Sequence, residues 1–222
     1  MCGFIINIFI ALIPLAAVPV YLINSGFSGG AGLREISLYM AAGCLTMLPA
    51  AVVSVSVAPF AAALGGLPAI FVSSFLVAAF IETAAKTALL KAIFHYRKET
   101  TFDEALVISI AAGTGFAFLE NIMFSFDSSL LVAARNITAV PLHIVTTAIA
   151  GCYLSLREKD KNITILRGFS EPFLIHGTYD FLVSMGTAAS LLALPLLAAS
   201  FFRLSLLARK GKNEKTYTAD AD

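Results

Sequence analysis

The chain has 222 residues, of which 59% are hydrophobic and only 13% charged, with a mean hydropathy of +0.87. Soluble domains carry about a quarter charged residues, so this composition excludes an ordinary soluble domain and points to a polytopic membrane protein. Fifteen Lys and Arg stand against fourteen Asp and Glu, a formal net charge of +1 that argues against a nucleic-acid partner.

A bilayer core about 30 Å thick is crossed by about 20 apolar helical residues. The sequence divides into seven such runs, roughly 4–23, 37–59, 67–92, 104–126, 130–155, 168–185 and 187–207. The expected fold class is all-α, with about seven transmembrane helices around a buried polar site. The first run starts almost at Met1 without a basic leader or a small-residue cleavage site, so it reads as a retained span rather than a signal peptide. Pro14, Pro19, Pro49 and Pro141 fall inside runs, where lipid-embedded helices tolerate them by kinking against neighbours. Ser170-Glu171-Pro172 is an alternative start for the sixth helix, with 163–169 then lying along the interface. Residues 1–208 read as one transmembrane domain and 209–222 as a solvated cytoplasmic tail. Cys2, Cys44 and Cys152 are odd in number and show no metal-ligand spacing, so they read as small apolar fillers.

The basic residues divide by side. Arg34, then Lys91, Arg97 and Lys98, then Arg157, Lys159, Lys161 and Arg167, and finally Arg203, Arg209, Lys210, Lys212 and Lys215 all fall on one side of the seven-span scheme. Arg135 falls on the other, and Lys86 lies within a span. The positive-inside tendency then places the N-terminus outside and the C-terminus in the cytoplasm. Small residues at helical spacing (Ala111 with Gly115, Gly113 with Ala117, Ala84 with Ala88, Thr147 with Gly151) predict close helix crossings near the polar positions.

Four ionisable residues interrupt the apolar runs: Glu82, Lys86, Glu120 and Asp180. At roughly 2.5–3.5 kcal/mol each on a lipid-facing helix, they must face the bundle interior or a wet cavity. The four-residue spacings Glu82/Lys86, Phe116/Glu120 and His176/Asp180 each place two side chains on one helical face. With a rise of about 1.5 Å per residue, Glu82, His143 and His176 fall near mid-membrane, Glu120 and Asp180 towards the outer side, and Lys86 towards the cytoplasm. Water is expected from the outer side. Arg135 reads as an interface anchor pairing with Asp127, and Asn121 as a partner for a neighbouring helix or a donor at the site.

Glu82-Thr-Ala-Ala-Lys86, Phe116-Ala-Phe-Leu-Glu120 and His176-Gly-Thr-Tyr-Asp180, in that order over roughly residues 78–182, resemble the EExxK, FxxxE and HxxxD motifs of the PrsW-type intramembrane peptidases. Gly115-Phe-Ala117, Glu120-Asn121 and Pro141-Leu-His143 resemble that family as well. The resemblance implies cleavage of membrane-anchored, anti-sigma-factor-like proteins, and a distant relation to CAAX prenyl endopeptidases. It implies Glu82, Glu120, His143, His176 and Asp180 as catalytic residues, with Lys86, Phe116 and Asn121 in support. The family's second acid is Thr83 here.

The residues also carry a chemistry of their own. Amide hydrolysis needs a positioned water, a base, a group facing the oxyanion and an acid for the leaving amine. Glu82 and Glu120 supply carboxylates; His143 and His176 supply donors or metal ligands. Zinc is the candidate ion, with His143, His176, Asp180 and Glu120 as its set, although no HExxH occurs and a metal-free glutamate mechanism stays open. The expected partners are a single-span or membrane-anchored protein substrate and the lipid bilayer. Two other functions fit the same residues: a non-catalytic scaffold, suggested by Thr83, and a proton-coupled transporter.

Overall fold

The computed structural model describes residues 2–26, 30–97, 100–159 and 165–219, and its regular elements are all helical. They are α1 (Cys2–Asn24), α2 (Leu33–Ala62), α3 (Gly66–Arg97), α4 (Phe102–Met123), α5 (Ser129–Ile137), α6 (Ala139–Lys159), α7 (Ile165–Ser184) and α8 (Ala193–Ala219), with short turns at Phe124–Phe126 and Thr187–Ser190. Lys98 and Lys161 of the topology count lie outside the described residues, as do the side chains of Lys159, Lys212 and Lys215 and the last three residues of the expected tail.

Six stretches are long and apolar enough to cross a membrane: α1, α2, α3, α4 with its following turn, α5 with α6, and 188–211. The seventh rod, α7, carries Arg167, Glu171 and Asp180 and is too polar on composition alone. It packs against α6 and α3 instead, and Glu171 is gripped by Arg203 of α8 at 2.6 and 3.2 Å, with the Tyr153 hydroxyl of α6 donating to it at 2.6 Å. This helix begins at Ile165, ahead of the Ser170-Glu171-Pro172 start weighed from sequence, and runs through Pro172. The single span expected over 130–155 is two helices, broken at Thr138.

α4 and α6 form the centre. The share of buried residues is 67% for the α4 span and 78% for the α5–α6 span, against 22% for α1, α2 and the last span. Large apolar side chains such as Phe9, Val52, Phe60, Leu76 and Phe202 are exposed on the outer helices, an apolar surface that only lipid would cover.

The helices cross closely where glycines permit it. A Cβ on Gly115 would stand 1.8 Å from the Met40 carbonyl oxygen, and one on Gly43 2.0 Å from that of Ala112, so α2 and α4 meet backbone to backbone. Cys44 uses the same approach to donate to the Gly115 carbonyl at 3.0 Å. Gly113 and Gly151 do the same for α4 against α6, facing His143/Thr147 and Ser109. The expected Ala84/Ala88 crossing does not form in this way, since Ala88 is exposed.

Ends are fixed locally. Thr101 caps α4 reciprocally with Glu104, whose backbone N–H donates to the Thr101 hydroxyl while its carboxylate accepts from the Thr101 N–H. Arg97 joins the end of α3 to that cap through Glu104 at 3.1 Å, and to α2 through Tyr39. Asn7 of α1 donates to the carbonyls of Ser125 and Asp127, both at 2.9 Å, tying α1 to the turn after α4.

Candidate active site

The site begins with a change of helical pitch. Within α3, residues Ser73–Phe80 form a π-helical segment directly before the α-helical Ile81–Arg97, and such widened turns re-phase every side chain that follows. Facing it on α7 is a seam of phenylalanines. Phe75 meets Phe173 and Phe181, Phe80 meets Phe169 and Phe173, and the Phe75 ring fills the space over Gly177. The seam fixes α3 against α7 where Glu82 and His176 come level.

α4 brings Phe116 and Glu120 from one side, and α6 brings His143 from another. The carboxylate of Glu82 has one oxygen, Oε2, at 3.4 Å from Lys86 Nζ and at 3.7 Å from both His143 Nδ1 and His176 Nε2. Lys86 Nζ lies 2.8 Å from His143 Nδ1 and 4.2 Å from the centre of the Phe116 ring. An ammonium can only donate, so Nδ1 of His143 accepts and the ring's proton sits on Nε2, which lies 2.5 Å from Glu120 Oε2. His176 Nε2 also meets Asp180 Oδ2 at 3.2 Å, while its Nδ1 is buried without a partner among the described residues. The two imidazole rings lie edge to face with centres 5.0 Å apart.

All five residues proposed from sequence as catalytic are therefore joined in one cluster spanning α3, α4, α6 and α7. The three supporting residues are there too: Lys86 within the cluster, Phe116 as its buried wall, and Asn121 one step beyond Glu120. Thr83 is buried and lines a small pocket together with Lys86.

The sequence reading missed the role of Arg135. It pairs with Glu120 Oε1 at 2.8 Å rather than with Asp127, donates from Nε to the Asn121 side-chain oxygen at 2.8 Å, and lies 3.8 Å over the Phe124 ring. Asn121 in turn donates to Asn136 at 2.7 Å, and Asn136 to the Ile10 carbonyl at 2.6 Å, so the chain of bonds ends on α1. The signal was present as two neighbouring pairs, Glu120-Asn121 and Arg135-Asn136, facing each other across one short turn.

A cavity of about 680 Å³ reaches this cluster, with Glu82, Glu120, Arg135, Tyr179 and Asp180 in its wall. It is bounded by the start of α3, the end of α4, α5, the end of α7 and the start of α8, all at one end of the bundle. Leu131, Ile137, Leu191 and Leu194 line it and are themselves exposed, giving the cavity an apolar rim.

The arrangement suits a metal ion. Glu82, His143 and His176 are buried, and their ligand atoms lie within 4.8 Å of one another. Donors around a tetrahedral zinc stand about 3.3 Å apart, close to the 3.7 Å separations found here. This set differs from the His143, His176, Asp180 and Glu120 set expected from sequence. Glu82 takes the central place, and Glu120 sits on the opposite nitrogen of His143, where a carboxylate orients a ligating imidazole.

Residues 34–205 match the family described as PrsW family intramembrane metalloprotease. Among curated proteins, the chain is 28% identical to Protease PrsW of Oceanobacillus iheyensis over 156 residues, 66% of this chain and 70% of that one. It is 24% identical to Protease PrsW of Clostridioides difficile over 144 residues, 60% of each chain. It is 31% identical to that of Geobacillus kaustophilus over 117 residues, 50% of this chain and 51% of the other. The matched stretches thus span about half to seven-tenths of these relatives. No solved structure matches the chain.

Proposed function

This chain belongs to the PrsW family of intramembrane metalloproteases, and from that premise we propose that it hydrolyses a peptide bond of a membrane-anchored protein inside the cavity at the α3–α4–α7 end. The observation that carries the proposal is the gathering of Glu82, Glu120, His143, His176 and Asp180, drawn from four helices, against one cavity in an otherwise apolar bundle. Buried carboxylates and imidazoles at such a depth cost several kcal/mol unless they serve one another.

Glu82, His143 and His176 would hold the metal, which when bound supplies a Lewis acid and an acidified water. The remaining groups have roles of their own. Glu120 orients His143 through Nε2 and, being in the cavity wall, is placed to take a proton from the attacking water. The proton Glu120 takes is the one it returns to the leaving amine, while Asp180, also in the wall and a quarter exposed, stands 3.2 Å from His176 Nε2 and adds negative charge beside the metal seat. The Arg135 guanidinium holds Glu120 in position and adds fixed positive charge where an oxyanion develops. The apolar rim at Leu131, Ile137, Leu191 and Leu194 suits a substrate segment arriving from lipid with its backbone unwound.

The cavity lies at the end of the bundle remote from Arg97, Arg157 and Arg167, so the positive-inside tendency turns it to the outer face of a bacterial inner membrane and the C-terminal tail to the cytoplasm. An anti-sigma-factor-like protein cut near its outer boundary fits that placement. The test is cleavage of a single-span substrate by the purified chain in liposomes. Glu120→Gln and His176→Ala are expected to stop cleavage while the folded protein is retained, and full activity in both would remove the assignment.

A further inference from the structure

Lys86 already contacts two of the three groups that would hold a metal ion. Its ammonium lies 2.8 Å from His143 Nδ1 and 3.4 Å from Glu82 Oε2, both in the compact donor set. A ring nitrogen has one lone pair, so Nδ1 can accept from Lys86 or bind a cation, but not both at once. A second seat adjoins the same side chain. Thr83, Thr87, Thr146 and Thr147 line a pocket of about 10 Å³ with Lys86, room for about one water-sized group. Thr87 Oγ1 is buried there without a partner among the described residues, whereas the hydroxyls of Thr146 and Thr147 donate to carbonyls of their own helix and keep acceptor lone pairs.

We infer that Lys86 is a resident competitor for the metal seat, and that a divalent cation binds by sending the ammonium into the threonine pocket. Position 83 sets the balance between the two seats. It lines that pocket, one turn from Lys86, with a neutral hydroxyl in this chain. A carboxylate there would hold the ammonium away from His143 by a direct ion pair, and a threonine holds it only weakly. Thr83 thus biases Lys86 towards His143 and lowers the affinity for metal. The inference rests on the metal reading above, and its failure is separable from the failure of that reading.

The experiment is a Co²⁺ titration of the full chain in detergent, followed by ligand-field absorption and equilibrium dialysis. Lys86→Met is expected to bind Co²⁺ on the order of tenfold more tightly than wild type, the scale of one charge-assisted hydrogen bond. Thr83→Glu is expected to tighten binding while Lys86 is intact and to add nothing in the Lys86→Met background. His176→Ala is expected to abolish binding in each. Equal affinity of wild type and Lys86→Met overturns the competition. So does a Thr83→Glu gain that survives in the double variant, since the new carboxylate is then a ligand. Should Lys86→Met not fold, Lys86→Gln takes its place under the same criteria. Absence of Co²⁺ binding in all variants, with cleavage persisting in chelator, overturns this inference together with the metal reading and leaves the peptidase standing.

Discussion

Replacing Arg135 by methionine removes the guanidinium while keeping an apolar stem over Phe124. Three contacts are lost together: the 2.8 Å ion pair with Glu120, the 2.8 Å bond to Asn121, and the cation–π contact at 3.8 Å. Both members of the ion pair are about 15% exposed, and breaking a buried pair from one side costs about 3–5 kcal/mol because the remaining charge is stranded. Access of water through the cavity brings the expectation to the lower end, about 3 kcal/mol, or a melting point lowered by roughly 6–12 °C in a chain of this size. Glu120 keeps its contact with His143 but loses its second anchor, so kcat is expected to fall roughly 10- to 100-fold with KM little changed. Thermal melting in detergent and single-substrate kinetics measure the two effects. Arg135→Lys should recover much of the stability but less of kcat, since an ammonium lacks the fork that spans Glu120 and Asn121. A methionine variant with wild-type melting and wild-type kcat would show that Glu120 is not held in this way.

Gly115→Ala is expected to be severe. Its Cβ would stand 1.8 Å from a backbone oxygen that ordinary contact places at about 3.4 Å, so α2 and α4 must part by roughly 1.6 Å, and cleavage should be lost along with several degrees of melting temperature. Gly177→Ala meets a nominal clash of 2.4 Å with a ring of Phe75 rather than with backbone. Its cost in the same melting assay should be smaller, and an equal or larger cost would mean that the phenylalanine seam is rigid. Removing divalent metal with a chelator is expected to abolish cleavage and added Zn²⁺ to restore it; cleavage indifferent to the chelator would withdraw Glu82, His143 and His176 as metal holders.

Hydropathy made most of the bundle legible, because each crossing requires its own apolar length regardless of packing. It located α7 in spite of three charges; the compensation of one of them, Glu171, by Arg203 and Tyr153 comes from other helices and has no local signature. The break at Thr138 was hidden, since averaging over a span merges α5 with α6. Burial cost announced Glu82, Glu120 and Asp180 as cluster members, and helical spacing gave their faces. Arg135 escaped because its direction is set by the short α5, and a residue near a predicted membrane boundary can turn outwards as readily as inwards. Asn7 and Asn136 escaped for a related reason. Their partners are backbone carbonyls far away in the chain, which a local pattern does not encode.

The wide-pitched Ser73–Phe80 segment works as a phase offset written into the main chain. Lost without a change of length, the widened pitch would turn Glu82 and Lys86 by on the order of 100°, towards lipid or a neighbouring helix. Deleting one residue within it, say Ala78, would instead let α3 relax to an ordinary helix and absorb most of that turn. The stretch thus holds about one residue of slack, and a chain shortened there should still insert with its first carboxylate aimed near the site, whereas one shortened by a residue just outside it should not.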